Sequence, residues 1–85
     1  MVLDKREVEL IALGTSVAVN CQPCLQFHIN EALKVGITIP EIKEAIQMGR
    51  TVRKGAAHKM DQFISTIISD EAIVSREGRE ICECQ

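Results

Sequence analysis

Apolar residues recur every three or four positions through most of this 85-residue chain, and no segment alternates apolar and polar residues at a period of two. That spacing aligns apolar side chains along one face of a helix. The apolar 46% of the residues is mostly Ile, Val, Leu and Ala, and Phe27 and Phe63 are the two aromatic residues. The pattern therefore predicts a small all-α domain of packed helices.

Capping residues mark the ends of the first two helices. The first runs from about Asp4 to Val19, and its first residue forms a capping box with Glu7. Because this helix is apolar almost all round, we expect it to be buried on all sides. Asn20 is a natural break, after which Pro23 fits the first turn of a second helix, and Gly36 ends that helix.

Two further helical segments follow. The third opens at Thr38, which forms a second capping box with Glu41, and Gly55 is expected to stop or kink it. A fourth apolar stripe runs over residues 56–68. The pattern therefore predicts four helices in all.

Charge and hydropathy narrow the class of protein. We expect a helical domain over residues 1–70 and a polar C-terminal tail over residues 71–85. The net charge of -2 argues against a nucleic-acid partner, which requires a clustered positive field. There is no apolar run of about 18 residues and no signal-peptide pattern, so we expect no membrane partner and a cytoplasmic protein. The apolar content is generous for so small a domain, which indicates a homo-oligomer.

The four cysteines come as two close pairs, and the first pair opens the second helix as Cys21-Gln22-Pro23-Cys24. First-turn N–H groups and the positive end of the helix dipole stabilise a thiolate at such a position. His28 follows Cys24 by one helical turn, so its imidazole can accept a thiol proton and return it to a leaving group. The spacing predicts thiol–disulfide redox chemistry.

Glu9 is a carboxylate within the apolar first helix. A buried carboxylate needs a polar partner, and we predict that the dithiol and His28 supply it. The alternative is an exposed charge that pairs with Lys5 or Arg6 of its own helix.

Taken in order, Glu9, Cys21, Cys24 and His28 resemble the E-x11-C-x-x-C-x-x-x-H pattern of the alkylhydroperoxidase D-like proteins, a branch of the carboxymuconolactone decarboxylase family. The resemblance covers roughly residues 5–65. It implies an all-helical fold that assembles as a trimer or hexamer. It also implies that these four residues form a proton relay for reducing peroxides or disulfides, with no cofactor and with electrons from a protein or small-molecule dithiol.

The second pair, Cys82 and Cys84, lies in the expected tail and admits three interpretations. The two thiols are incidental, or they form a second dithiol that exchanges electrons with the first. In the third, they join Cys21 and Cys24 in a four-cysteine site for zinc or an iron–sulfur cluster, although the spacing matches no short zinc-ribbon pattern.

A basic stretch also precedes the tail. We interpret it as a solvated face, with docking of an acidic redox partner as the alternative. Its members are Arg50, Arg53, Lys54, His58 and Lys59.

The sequence thus predicts a thiol-dependent oxidoreductase that reduces disulfides or hydroperoxides. Cys24 lies nearer to His28, so we predict that Cys24 attacks and Cys21 resolves, whereas the helix dipole favours the opposite order. A carboxymuconolactone decarboxylase-like lyase is the second enzyme class, and it would not need the dithiol. The non-enzymatic alternative is a metal- or cluster-binding module that uses all four cysteines.

Overall fold

The computed structural model describes residues 2–68 and contains three helices in that range. They are α1 (Lys5–Ala18), α2 (Gln22–Lys34) and α3 (Ile39–Ile68). No strand occurs among these residues, so the predicted all-α class is confirmed. The expected tail, with its pair Cys82 and Cys84, lies outside the described residues, and the division at residue 70 stays a prediction.

Side-chain caps fix where α1 and α3 begin. Asp4 Oδ1 accepts a hydrogen bond of 2.8 Å from the Glu7 amide, and Glu7 Oε1 accepts one of 2.9 Å from the Asp4 amide. Thr38 and Glu41 repeat this reciprocal arrangement at the start of α3, at 2.8 and 3.4 Å. Both capping boxes predicted from the sequence are therefore present, and each satisfies amides that have no partner within the helix.

The two turns between the helices use residues with positive φ. Asn20, between α1 and α2, has a φ of 60°, and Gly36, after α2, has a φ of 87°. Asparagine and glycine are the residues that adopt this left-handed conformation most readily. The predicted break at Asn20 and the predicted end of the second helix at Gly36 are both confirmed.

The third and fourth predicted helices are one continuous helix, so the expected stop at Gly55 is corrected. α3 runs through Gly55 without a break in its helical assignment. A glycine inside a helix costs only about 1 kcal/mol. The neighbours Lys54, Ala56 and Ala57 are good helix formers, which offsets that cost.

Residues 1–55 form one compact unit, and its core lies where the three helices meet. Leu13 and Ala32 are fully buried there, together with Ile37 and Ile42. The expectation that the first helix is buried on all sides is wrong for the single chain, because Ile11 is 55% exposed. Two neighbouring helices cover only the face of α1 that carries Leu13, so the opposite face stays open.

α1 and α3 approach each other most closely at two glycines. A Cβ atom built on Gly49 would collide with the carbonyl oxygen of Gly14 and with the Val17 Cβ. A Cβ on Gly14 would lie 3.2 Å from the Ala45 carbonyl oxygen. Glycine at both positions lets the backbones pack closely, and this crossing sets where the side chains of α3 lie relative to the end of α1.

The second unit begins at Ala56, and its described part is the C-terminal half of α3. Apolar side chains on one face of this half are largely exposed, among them Met60, Phe63 and Ile64. No helix in the described range is both long enough and apolar enough to span a membrane.

Candidate redox site

Cys21 and Cys24 are joined by a disulfide at the start of α2, with their Cα atoms 5.2 Å apart. Cys21 is the N-cap residue of the helix, and a proline in the first turn follows it. Proline fits there because a first-turn residue needs no intrahelical N–H bond. The helix start therefore holds the two sulfur atoms at bonding distance.

The two cysteines differ in their surroundings. The Cys21 Sγ accepts a hydrogen bond of 3.3 Å from the Cys24 amide, as a capping side chain does. Cys21 is partly buried, whereas Cys24 is exposed. An N–H donor and the positive end of the helix dipole both favour negative charge on the Cys21 sulfur in the reduced protein.

Glu9 and His28 meet across the α1–α2 interface. The distance from His28 Nδ1 to Glu9 Oε1 is 2.8 Å, although the residues lie 19 positions apart. The Glu9 residue is 5% exposed, and the His28 side chain is 27% exposed. The carboxylate is thus held inside the protein with the imidazole as its hydrogen-bond partner.

Lys5 also lies near Glu9, with its Nζ 3.9 Å from Glu9 Oε2. The Lys5 side chain is exposed, so its contact with Glu9 lies close to solvent. Both partners considered from the sequence, the imidazole and a basic residue of the same helix, are therefore present. The shorter and more buried contact is the one with His28, and Glu9 is not a surface charge.

The Glu9 contact determines which ring nitrogen of His28 is available for chemistry. An ionised carboxylate only accepts hydrogen bonds, so it holds the imidazole proton on Nδ1. Nε2 of the neutral ring is then the basic nitrogen. His28 lies one helical turn after Cys24 on α2. This arrangement can take up a thiol proton and return it, with Glu9 stabilising the imidazolium.

A cleft at the Cys21 end of this site includes two basic residues that the sequence pattern predicts on a solvated face. Arg50 and Arg53 of α3 line it together with Cys21. The spacing of three residues on a helix was the available signal, because it places both guanidinium groups on one side. Their proximity to Cys21 depends on the crossing of α1 and α3, which no local pattern reveals.

The described residues contain no group of three or more His, Cys, Asp or Glu side chains positioned to hold a metal ion. The four-cysteine site considered from the sequence also needs Cys82 and Cys84, which lie outside residues 2–68.

Phe27 is the aromatic neighbour of the site, in a chain that has no tyrosine and no tryptophan. Its ring contacts the His28 ring edge-on, and the two ring centroids are 5.0 Å apart.

Comparison with protein-family profiles shows the family to which the chain belongs. The profile of the carboxymuconolactone decarboxylase family matches residues 2–60. The chain belongs to the carboxymuconolactone decarboxylase family. The family assignment suggested by the sequence pattern is therefore confirmed, and Glu9, Cys21, Cys24 and His28 all lie within the matched stretch.

One curated relative is "Uncharacterized protein 4 in cox locus" of Paracoccus denitrificans, which is 38% identical over 56 residues. The aligned part covers 66% of this chain and 50% of the relative, so the chain spans about half the length of that relative. No solved structure matches the chain. The carboxymuconolactone decarboxylase family includes enzymes.

Proposed function

We propose that this protein is a thiol-dependent oxidoreductase that reduces disulfides or hydroperoxides through the Cys21/Cys24 dithiol. Glu9 and His28 form the proton relay. The observation that carries the proposal is a disulfide at the start of α2, one turn before a histidine that is paired with a buried carboxylate. A buried carboxylate that accepts a hydrogen bond from this histidine favours a role for the imidazole in proton transfer.

With a disulfide substrate, the reaction transfers two electrons from the protein. One cysteine thiolate attacks a substrate sulfur, the substrate S–S bond breaks, and a first thiol leaves after taking a proton. The second cysteine attacks the protein sulfur of the mixed disulfide and releases the second thiol. The protein is left with the Cys21–Cys24 disulfide, which a protein or small-molecule dithiol reduces again.

With a hydroperoxide, the same thiolate attacks the outer oxygen, and the alcohol leaves after taking a proton. The protein sulfur is then a sulfenic acid. Attack by the other cysteine closes the Cys21–Cys24 disulfide and releases water. In both reactions the relay of Glu9 and His28 removes a thiol proton and supplies one to a leaving group.

We assign the first attack to Cys21, contrary to the order favoured by sequence spacing alone. The Cys24 amide points at the Cys21 sulfur, and two guanidinium groups line the same cleft as Cys21. Both features stabilise a thiolate at Cys21. Mass spectrometry of a mixed disulfide trapped in the Cys24→Ser variant tests this order. If only the Cys21→Ser variant forms such an adduct, Cys24 attacks first.

The decisive experiment is a single-turnover reaction of the reduced protein with excess hydroxyethyl disulfide or cumene hydroperoxide. We expect loss of both thiols of the dithiol, a Cys21–Cys24 disulfide in the peptide map, and no such reaction in a Cys21→Ser, Cys24→Ser double variant. The matched control is a Cys82→Ser, Cys84→Ser double variant, which keeps the site. Lyase activity that survives in the first double variant would contradict the proposal.

We also propose that the protein is a homo-oligomer, a trimer or hexamer as its resemblance to the alkylhydroperoxidase D-like proteins implies. The support is physical, because a contiguous row of exposed apolar side chains on α3 is costly in water. Association of copies would remove that surface from solvent.

A further inference from the structure

A cleft of about 290 Å³ lies beside the redox-active pair, between the start of α2 and α3. Cys21 lines it from α2, and Arg50 and Arg53 line it from α3. Asn20 and Gln22, which flank Cys21, contribute uncharged polar groups. A redox-active cysteine and two arginines therefore share one small concave surface.

The positive charge of this cleft is not neutralised within residues 2–68. Arg53 is held in place, because its Nη1 donates hydrogen bonds to Asn20 Oδ1 at 2.9 Å and to the Val17 carbonyl oxygen at 3.4 Å. Both acceptors are uncharged. Arg50 is exposed and has no hydrogen-bond or ion-pair partner in the described part of the chain. No Asp or Glu of that part lines the cleft.

Two guanidinium groups that have no carboxylate partner among residues 2–68 favour an anionic ligand. Arginine presents a planar set of N–H donors that matches the two oxygen atoms of a carboxylate. The volume of the cleft suits a small organic group rather than a folded surface. A ligand bound there by its carboxylate would have its remaining atoms near Cys21.

We propose that the cleft binds a carboxylate of a small-molecule disulfide and presents the S–S bond of that molecule to Cys21. This inference rests on the proposed function and adds the substrate class. Arg50, which has no partner among the described residues, is the donor for the carboxylate, and Arg53 adds positive charge while holding the turn at Asn20. The Cys21 thiolate attacks the near sulfur, and a carboxylate-bearing thiol leaves with a proton. Cys24 then displaces the second such thiol from the mixed disulfide.

The test compares three small disulfides that differ mainly in charge. Dithiodipropionate is a dianion, hydroxyethyl disulfide is neutral, and cystamine is a dication. We expect the reduced protein to react fastest with the dianion, after each rate is divided by the rate at which free dithiothreitol reduces the same disulfide. Added salt should reduce the preference, because it screens charge.

The variant that tests the assignment is Arg50→Gln. We expect the ratio of the dianion rate to the neutral rate to fall by about two- to fivefold, the effect of one partly exposed charge. Lys43→Gln is the matched control, because it removes one positive charge from the same helix at an exposed position outside the cleft. It should keep the wild-type ratio. An equal fall in both variants would indicate a general charge effect and overturn the assignment.

A binding measurement separates this inference from the proposed function. Suberate has the length of dithiodipropionate but no S–S bond, so its binding needs no redox reaction. When suberate is titrated into the oxidised protein, we expect the side-chain N–H resonances of Arg50 and Arg53 to shift in NMR spectra. In Arg50→Gln, we expect a smaller shift of the Arg53 resonance. Reduction of all three disulfides without charge preference, together with no suberate binding, would overturn the cleft assignment alone. Failure to react with any of these disulfides or with cumene hydroperoxide, while suberate binds, would instead overturn the proposed function.

Discussion

At the scale of single residues, the contact between Glu9 and His28 contributes both to the stability of the fold and to the proposed chemistry. A carboxylate on the buried face of α1 is tolerated because an imidazole of α2 satisfies it at 2.8 Å. No side-chain nitrogen or oxygen that is buried in the described part of the chain lacks a partner. The same hydrogen bond orients the ring, so one interaction serves both stability and the proposed proton transfer.

The contact between Glu9 and His28 predicts how fast variants of these two residues should reduce a disulfide. His28→Gln should slow single-turnover disulfide reduction by about a hundredfold, because it removes the general base. Glu9→Gln should slow it by about tenfold, near the value of one hydrogen bond to a charged group. Since Glu9 acts through His28, the double variant should be about as slow as His28→Gln alone. Stopped-flow kinetics would check all three rates.

The control for this cycle is Glu44→Gln, which changes an exposed carboxylate on α3 in the same way. It should react like the wild type. Strictly additive losses in the double variant would mean that Glu9 and His28 act separately, which the relay does not allow. Thermal unfolding of each variant would show whether the fold is retained.

A second residue pair predicts how stability depends on pH. The Arg6 guanidinium, 2.6 Å from Glu41, and the amide and hydroxyl of Thr38 lower the pKa of Glu41 from 4.5 to about 2. A carboxyl with a lowered pKa in the folded state stabilises the protein above its ordinary pKa. That contribution is lost as the pH falls from about 4.5 through about 2.

Urea unfolding of wild type and Glu41→Gln would measure this contribution. The variant should be less stable at about pH 6, and the difference in the free energy of unfolding should narrow at about pH 3. Glu44→Gln, which changes the same residue type three positions along the helix, should follow the wild type at both values. A constant difference between wild type and Glu41→Gln would contradict the lowered pKa.

How much of the site was predictable depends on sequence distance. The dithiol and His28 share one helix, so spacing alone placed them together. Glu9 was identified from its polarity in an apolar helix, but its pairing with His28 depends on how α1 packs on α2. The approach of Arg50 to the Cys21 cleft was not predictable, because it depends on the close crossing of α1 and α3.

At the scale of helices, the ends were predictable and the continuity of α3 was not. Caps such as those at Asp4 and Thr38 are local hydrogen-bond patterns, so the sequence specifies them directly. A glycine such as Gly55 gives a weaker signal, because it either ends a helix or lies within one. The surrounding helix formers decide between these outcomes, and here they continue the helix.

Two glycines of α3 should respond oppositely to alanine. Gly49→Ala should destabilise the protein by about 1–3 kcal/mol, because the new Cβ would collide with the Gly14 carbonyl oxygen. Gly55→Ala should stabilise it by about 0.5–1 kcal/mol, because its Cβ meets no described atom within 4 Å and alanine favours the helix. Each variant is the control for the other in chemical denaturation. Equal effects would contradict a close helix crossing at Gly49.

At the scale of the whole molecule, the single chain leaves much apolar surface uncovered. On the described part of the second unit, Met60, Phe63 and Ile64 lie on one face of α3 and are exposed. Residues three and four apart share a helix face, so these side chains form one continuous surface. That surface is the physical basis for expecting association between copies.

The prediction at this scale concerns the oligomer. Phe63 is 59% exposed, and Phe63→Glu places a charge within the apolar row. We expect it to shift the protein from oligomer to monomer in sedimentation velocity, because burying an unpaired charge is costly. Gln62→Glu adds the same charge on the opposite face of the helix and should leave the oligomer intact. A monomeric wild type would contradict the prediction.

The pairing of Glu9 with His28 also has a consequence for the order in which the parts of the site form during folding. The residues are 19 positions apart, and both cysteines lie between them, so all the proposed reactive groups belong to one helical hairpin. Contacts of such short range close small loops and form early in folding. During synthesis the residues of the relay leave the ribosome before α3 does. We therefore expect α3 to pack onto a hairpin that already carries the reactive groups and to add the arginines of the cleft last.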